Sequence, residues 1–389
     1  MPHAAVRILH LEPEEGAGEL TRLLARARSI AAEDLARRFE SAGADDVRLE
    51  ACPRDALSFG ARLRAVAGSL ETGAGLVVLG SGSIALASDD DLAGLVAVAV
   101  SGERRALTNN RYSSDVVAVG DAAILAAAPD LPADNALPRW LTTRGVPVEE
   151  LPDRDRLALD LDSPLDLELV RRHPRCPPAL ADLARSMAHR LGRVAEAFDE
   201  LAALARKPRM ELLVAGRISA STLRSLEVDT ACRIRALVEE RGLRASAPFT
   251  ADGGTDSGDE GSDGLDEGEP QAQRPPASVL GLVLDLEGPA EIGMVVDRLA
   301  DGAIIDSRVL LAHRLGADES SWPSPEDRYA SDLLLADRVR DPWLQPLTLH
   351  AWSHKVPIAL GAHSLVGPGL RLALGLDPPT GRLAQDAST

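Results

Sequence analysis

The residues best suited to chemistry in the first half of the chain lie in three short polar stretches. Asp160-Leu161-Asp162-Ser163-Pro164-Leu165-Asp166-Leu167 sets two carboxylates at alternate positions beside an apolar run, an oxygen-rich arrangement that suits a divalent cation. The same residues read as a helix start, with Ser163 at the N-cap, Pro164 in the first helical position and Asp166 completing a capping box. The two uses are compatible, because capping takes Ser163 and Asp166 and leaves Asp160 and Asp162. Thr108 to Asp115 is an unbroken run of eight hydrogen-bonding side chains. Asn109 and Asn110 could read a base edge or a ribose, Arg111 a phosphate, and Asp115 a metal or a hydroxyl; the plainer alternative is a polar hairpin. Gly80-Ser81-Gly82-Ser83 follows a strongly apolar run and could turn backbone N–H groups toward a phosphate. It could equally be a tight turn, with Ser88 capping the next helix and Asp89, Asp90 and Asp91 in its first turn. Neither GxGxxG nor GxxxxGK[ST] is present.

The second half has its own candidates. Arg217 and Arg224 flank a Ser/Thr-rich helix start at Ser219 to Thr222, which could bind an anion or simply cap the helix. Asp306 and His313 follow an apolar Ile304-Ile305 pair. His363, in Gly361-Ala362-His363-Ser364, is the best single candidate for acid–base or ligand contact. His350 and His354 are four apart and share a face of the helix expected there, but no HExxH glutamate accompanies them and Trp352 and Lys355 crowd them. Packing is the simpler role for that pair. No GxSxG motif occurs.

These side chains need a scaffold, and the chain is long enough to build one. It has 389 residues, 45% of them hydrophobic and only 3% aromatic, so its cores are expected to be tight and rich in Ala, Leu and Val. Sixty acidic against 42 basic residues give a net charge of −18, which argues against binding nucleic acid or an anionic membrane surface. All but Lys207 and Lys355 of the basic residues are arginine. Cys52, Cys176 and Cys232 are odd in number and lack a CxxC pair, so neither a disulfide framework nor a cysteine zinc site is indicated. The acidic N-terminal stretch and the absence of a long apolar run lead us to expect a cytoplasmic protein.

Short apolar runs alternate with helical patterns through residues 1–172. Ala5–Leu9, Val47–Glu50, Gly75–Gly80, Ala106–Thr108, Val116–Val119, Val146–Leu151 and Leu157–Leu161 read as strands. Helices are expected at Leu20–Ser41, Phe59–Leu70, Asp90–Val100, Ala122–Ala128 and Asn135–Thr143. This alternation predicts an α/β fold with a mostly parallel, Rossmann-like sheet and helices on both faces. Residues 173–245 read as helical, with Leu212–Ala215 a possible strand and Thr222–Arg241 one or two helices. Residues 246–278 carry eight acidic side chains and one basic one among Gly, Ser and Pro, the composition of a disordered acidic linker. Residues 279–389, with Val279–Leu286 read as a strand, form a mixed region expected to pack with 173–245. The half after residue 172 is thus expected to be mainly helical.

The order of these elements, the loop at Gly80, the Asn-containing loop and the closing DLDSPLDL resemble nucleotidyltransferases of the GT-A type. The molybdenum-cofactor and 2-phospholactate guanylyltransferase-like families are the nearest in pattern, through a closing D-x-D-[ST]-P-x-D-L that residues 160–167 fit. The resemblance covers residues 1–172. It implies transfer of a nucleotidyl group from a nucleoside triphosphate to a small phosphorylated metabolite, with Mg²⁺ held by Asp115, Asp160 and Asp162. Gly80, Ser81, Gly82, Ser83 and Arg111 would hold phosphates, and Asn109 and Asn110 the base or sugar. Two features depart from the families. Glu12, Glu14 and Glu15 follow the first strand where those proteins have a Gly-rich phosphate loop, and Ser81-Gly82-Ser83 stands where an aspartate is usual. A domain of this type that binds or regulates without catalysis, leaving chemistry to Arg217, Asp306, His313 and His363, is the alternative.

Overall fold

The computed structural model describes residues 3–53, 57–131, 133–240 and 276–376. The acidic stretch at 246–278 lies outside them except for its last three residues.

Six strands form the first sheet: β1 (His3–Leu11), β2 (Asp46–Cys52), β3 (Ala74–Gly80), β4 (Ala106–Thr108), β5 (Val116–Val119) and β6 (Val148–Glu150), in the order β2-β1-β3-β5-β4-β6. All run parallel except β5, which is antiparallel to both of its neighbours. The carboxyl ends of β1, β3, β4 and β6 and the amino end of β5 therefore share one edge. Alternation along β3 explains the two-sided core. Val77 and Leu79 face Leu35 and Phe39 of α1 (Glu19–Ser41) and Leu92 and Leu95 of α3 (Asp89–Ala99), while Leu76 and Val78 face Leu63 of α2 (Phe59–Gly68) and Leu137 and Leu141 of α4 (Leu137–Thr143). Arg7 is buried in the middle of β1, and its charge is met by Asp46 at 2.6 Å and Glu50 at 3.0 Å on β2.

Several sequence readings of this half change at their margins. Leu157–Leu161 is not a strand: α5 (Arg154–Leu157) leads into an irregular segment, and Leu157 at the end of the helix and Leu159 and Leu161 beyond it are buried alternately. Alternating burial satisfies a strand pattern without a neighbouring strand to pair with. Ala122–Ala127 is 3₁₀ rather than α-helical.

The second half departs most from the mainly helical reading. After α6 (Pro164–Arg171), α7 (Pro178–Ser186) and α8 (Ala188–Ala205) come β7 (Glu211–Gly216), α9 (Ala220–Asp229) and β8 (Arg233–Val238). Beyond residue 275 follow α10 (Val279–Glu287), α11 (Ile292–Leu299), β9 (Gly302–Asp306), α12 (Ser307–Leu315), α13 (Pro325–Asp332), α14 (Leu344–Ser353), β10 (Ile358–Gly361), α15 (His363–Val366) and α16 (Leu370–Ala373). The four strands form one wholly parallel sheet, β10-β9-β7-β8, so residues on both sides of 241–275 contribute to it. The run read as helical to Arg241 breaks at Thr230 into an exposed edge strand, Arg-Ile-Arg-Ala-Leu-Val, whose polar–apolar alternation begins at Arg233. Val279–Leu286 is a helix, not a strand. Ser278 caps it, Leu280 and Leu284 bury one face, and Gly288 at φ 96° ends it.

The two sheets do not stand apart. Leu20 and Leu24 of α1, Leu165 and Leu169 of α6, and Phe198 and Leu201 of α8 belong to the same apolar core as Val214, Ile304 and Leu360 of the second sheet. Polar contacts fix the junction. Glu326 of α13 accepts the Leu20 and Thr21 amides at 3.0 and 3.1 Å, capping α1, and Glu19 binds Arg190 and Arg338.

Candidate functional site

At the carboxyl edge of the first sheet, β3 ends at Gly80 and β5 begins beside it, with Leu79 paired to Val116. Asp115 is thereby held next to the Gly80 loop. The β4–β5 loop is organised from within by Asn109. Its side-chain oxygen accepts the Asp115 amide at 3.0 Å, and its amide donates to the Asp115 carboxylate at 2.7 Å and to the Leu157 carbonyl at 3.1 Å. Asn109 is fully buried and these bonds occupy its amide group, so it shapes the loop rather than facing a ligand. Asn110 accepts the Tyr112 amide, and Arg111 turns along β6 to the Val148 carbonyl and Glu150. These two lie on the loop's outer side.

The segment after α5 folds back onto the Gly80 loop, with the Leu161 amide donating to the Gly82 carbonyl at 3.2 Å. Gly82 is required here, since a Cβ would lie 2.6 Å from the Asp160 carboxylate. Ile84, fully buried in the same turn, has φ 46°, a strained conformation for a β-branched residue. Ser81 is held by His10, whose Nδ1 is 3.0 Å from its hydroxyl. Burial first and Arg28 second lower the His10 pKa.

Asp115, Asp134, Asp160 and Asp162 are near enough to repel one another. Burial, then Asp160, raises the Asp115 pKa well above the usual carboxylate range, and burial followed by Asp162 pushes Asp160 up to about 7. Burial also raises Asp134. Arg28 of α1 opposes this, donating to the Leu161 carbonyl at 2.6 Å and to Asp162 at 3.1 Å. Phe59 and Val78 wall the depression between Asp115, Asp134 and Gly80. Arg28 and Asp134 were missed in the sequence. Arg28 reads there as the polar face of an amphipathic helix, and Asp134 as part of an ordinary loop.

The donor set is one of hard oxygens. Among the described residues, no three His, Cys, Asp or Glu side chains gather closely enough to hold a metal ion alone. Mg²⁺ does not demand such a cage, because it is usually bound by one or two carboxylates together with substrate phosphates and water. Asp115 with Asp160 or Asp162 fits that pattern, and a cation would relieve the repulsion among them.

The DLDSPLDL motif folds as a capping box. Ser163 caps α6, and Asp166 accepts the Ser163 and Asp162 amides at 2.6 and 2.8 Å. Its other oxygen accepts the Ser364 hydroxyl, 2.5 Å away, from α15 of the second half. Burial pushes the Asp166 pKa up to about 8 against these bonds. Ser88 and Asp91 form a second capping box at α3, and Asp89 points outward to Arg38.

The second-half candidates divide. Arg217, Asp306 and His363 come together at the carboxyl ends of β7, β9 and β10. His313 lies apart, accepting the Ser278 amide at Nδ1 and meeting Asp285 at Nε2, so it ties α10 to α12. His354 is one residue beyond the end of α14, so it does not share a helical face with His350. The three cysteines are free, and burial pushes Cys176 up to about 11. Among the described residues no helix is long and apolar enough to cross a membrane.

No protein-family model matches this chain, and no curated protein matches it.

Proposed function

We propose that the first sheet's carboxyl edge is a nucleotidyltransferase-type site, binding a nucleoside triphosphate with Mg²⁺ and passing its nucleotidyl group to a small phosphorylated acceptor. The observation that carries this reading is the convergence of Asp115, Asp160 and Asp162 on the Gly80–Ser83 loop, at the strand ends where open α/β sheets bind ligands. In the reaction an acceptor phosphate oxygen attacks the α-phosphorus, a new O–P bond forms, and the bond to the β-phosphate breaks to release pyrophosphate. Ser81 and Ser83 are buried and their amides bond to the Leu9 and Gly80 carbonyls, so the loop would shape the floor of the site rather than cradle the phosphates, and the strained turn at Ile84 fixes its course. Asp115, positioned by Asn109, and Asp162, steadied by Arg28, supply carboxylates. A Mg²⁺ ion between them would offset charge building on the phosphates.

A second reading, a binding module without catalysis, draws on a specific observation. Arg28 and Arg111 are both engaged by protein groups, and three glutamates follow β1. A thermal-shift screen of the five common triphosphates with and without Mg²⁺ separates the two. A nucleotide at 100 times its dissociation constant adds roughly 2.7 kcal/mol. A Mg²⁺-dependent shift that disappears in Asp115→Asn and Asp162→Ala is the expected result, with pyrophosphate release then assayed. A shift that survives both substitutions would favour the module, and no shift would remove the nucleotide site.

A further inference from the structure

The second sheet has a functional edge of its own. Its strand order, β10-β9-β7-β8, reverses direction at β7. The crossover through α9 runs to one side and the return to β9 runs to the other, which puts a topological switch point, where open α/β sheets form a ligand crevice, beyond Gly216 and Asp306. We propose that this crevice binds the terminal phosphate of a small phosphorylated molecule, with Arg217 as the anchor.

Asp306 is completely buried and holds the Arg217 Nε at 2.6 Å, while its other oxygen accepts the Arg308 amide. Both terminal nitrogens of Arg217 are left without a hydrogen-bond partner among the described residues. A guanidinium clamped at Nε presents its outer nitrogens as a fixed fork, the geometry that engages two phosphate oxygens at once. Gly216, at φ 130°, brings the chain over Asp306 so closely that a side chain there would collide with the Asp306 Cβ.

Two further groups face the same space. α9 begins two residues after Ile218, with Ser219 as its cap, and the Ala220 and Ser221 amides have no acceptor within the helix. At the start of α15, just past β10, His363 donates to the Arg217 carbonyl, and burial followed by Arg217 lowers its pKa, keeping it neutral near pH 7. Glu239 is turned away, accepting the Ser278 hydroxyl and the Val279 amide at α10. Glu240 adds negative charge near His363, which favours one terminal phosphate over a polyphosphate. This inference does not depend on the nucleotide site.

The test is a calorimetric titration of the full chain with inorganic phosphate and with glycerol phosphate, without divalent cation. Hydrogen exchange is followed over residues 216–223 in parallel. Saturable binding that slows exchange there, and that weakens at least tenfold in Arg217→Gln and several-fold in His363→Gln, is expected. Arg37→Ala, on the exposed face of α1, should bind as the unaltered chain does. If Arg217→Gln fails to fold, the exchange result on the unaltered chain decides. No saturable binding, unchanged exchange at 216–223, or a folded Arg217→Gln that binds normally would overturn the proposal.

Discussion

The two carboxyl edges solve opposite electrostatic problems. The first gathers Asp115, Asp134, Asp160 and Asp162 with Arg28 beside them, and the pKa values of Asp115, Asp134 and Asp160 rise because burial and repulsion go unrelieved. The second matches each buried carboxylate with an arginine: Asp306 with Arg217, and Asp332 with Arg308 through two bonds of 2.8 and 2.6 Å. One edge stores unfavourable charge that a cation would discharge. The other is neutral by construction and rigid. Perturbed carboxylates in a cleft are the commoner mark of a working site, whereas closed ion pairs more often set geometry. Arg217 differs from Arg308 in this respect, since its outer nitrogens have no hydrogen-bond partner among the described residues.

The largest effect that would sharpen this contrast is at the closed pair. Asp332→Ala leaves Arg308 buried and uncompensated, and should cost about 3–5 kcal/mol in a denaturant melt. Loss of less than about 1 kcal/mol would mean the pair is not closed in solution. Ser364→Ala removes the bond to Asp166 and loosens the cap of α6, for about 1–2 kcal/mol. It should also weaken nucleotide binding, because the Asp162 amide rests on Asp166.

The third effect is set by pH. The folded pKa of Asp160 lies above its unfolded value, so the folded chain holds that proton more tightly. The resulting stability is complete below about pH 4 and is lost as pH rises to about 7. Asp160→Asn should therefore be more stable than the unaltered chain at pH 8, by on the order of 1–4 kcal/mol, and no more stable at pH 4. A destabilised variant at pH 8 would contradict the idea of stored repulsion. Smallest is Arg38→Ala, which breaks an exposed pair with Asp89 and should shift stability by about 0.5 kcal/mol or less.

The sequence was most informative where local chemistry and tertiary context agree. Gly75–Gly80 reads as a central strand because both of its faces are apolar, and the structure buries both. Ser163, Pro164 and Asp166 announce the start of α6. The reading failed where one pattern serves two structures. Val279–Leu286 is apolar at every position but two, so strand and helix are not separated by periodicity; the Ser278 cap, reinforced by Glu239 just past β8, decides it. β8 was absorbed into the preceding helix because an exposed edge strand has little apolar content to mark it. The pairing of Arg217 with Asp306 spans 89 residues and depends on β7 and β9 being neighbours, which no local signal reveals. Asn109 shows a further limit. Its residue type suits a ligand, yet the fold uses it to hold Asp115.

The most direct test of the central claim is calorimetry of the Mg²⁺–triphosphate that gives the largest thermal shift, at pH 6 and pH 8. A cation competes with protons for Asp115 and Asp160, so binding should require Mg²⁺ and tighten by about tenfold between the two pH values. Binding that is independent of Mg²⁺, or equally tight at both pH values, would contradict the account.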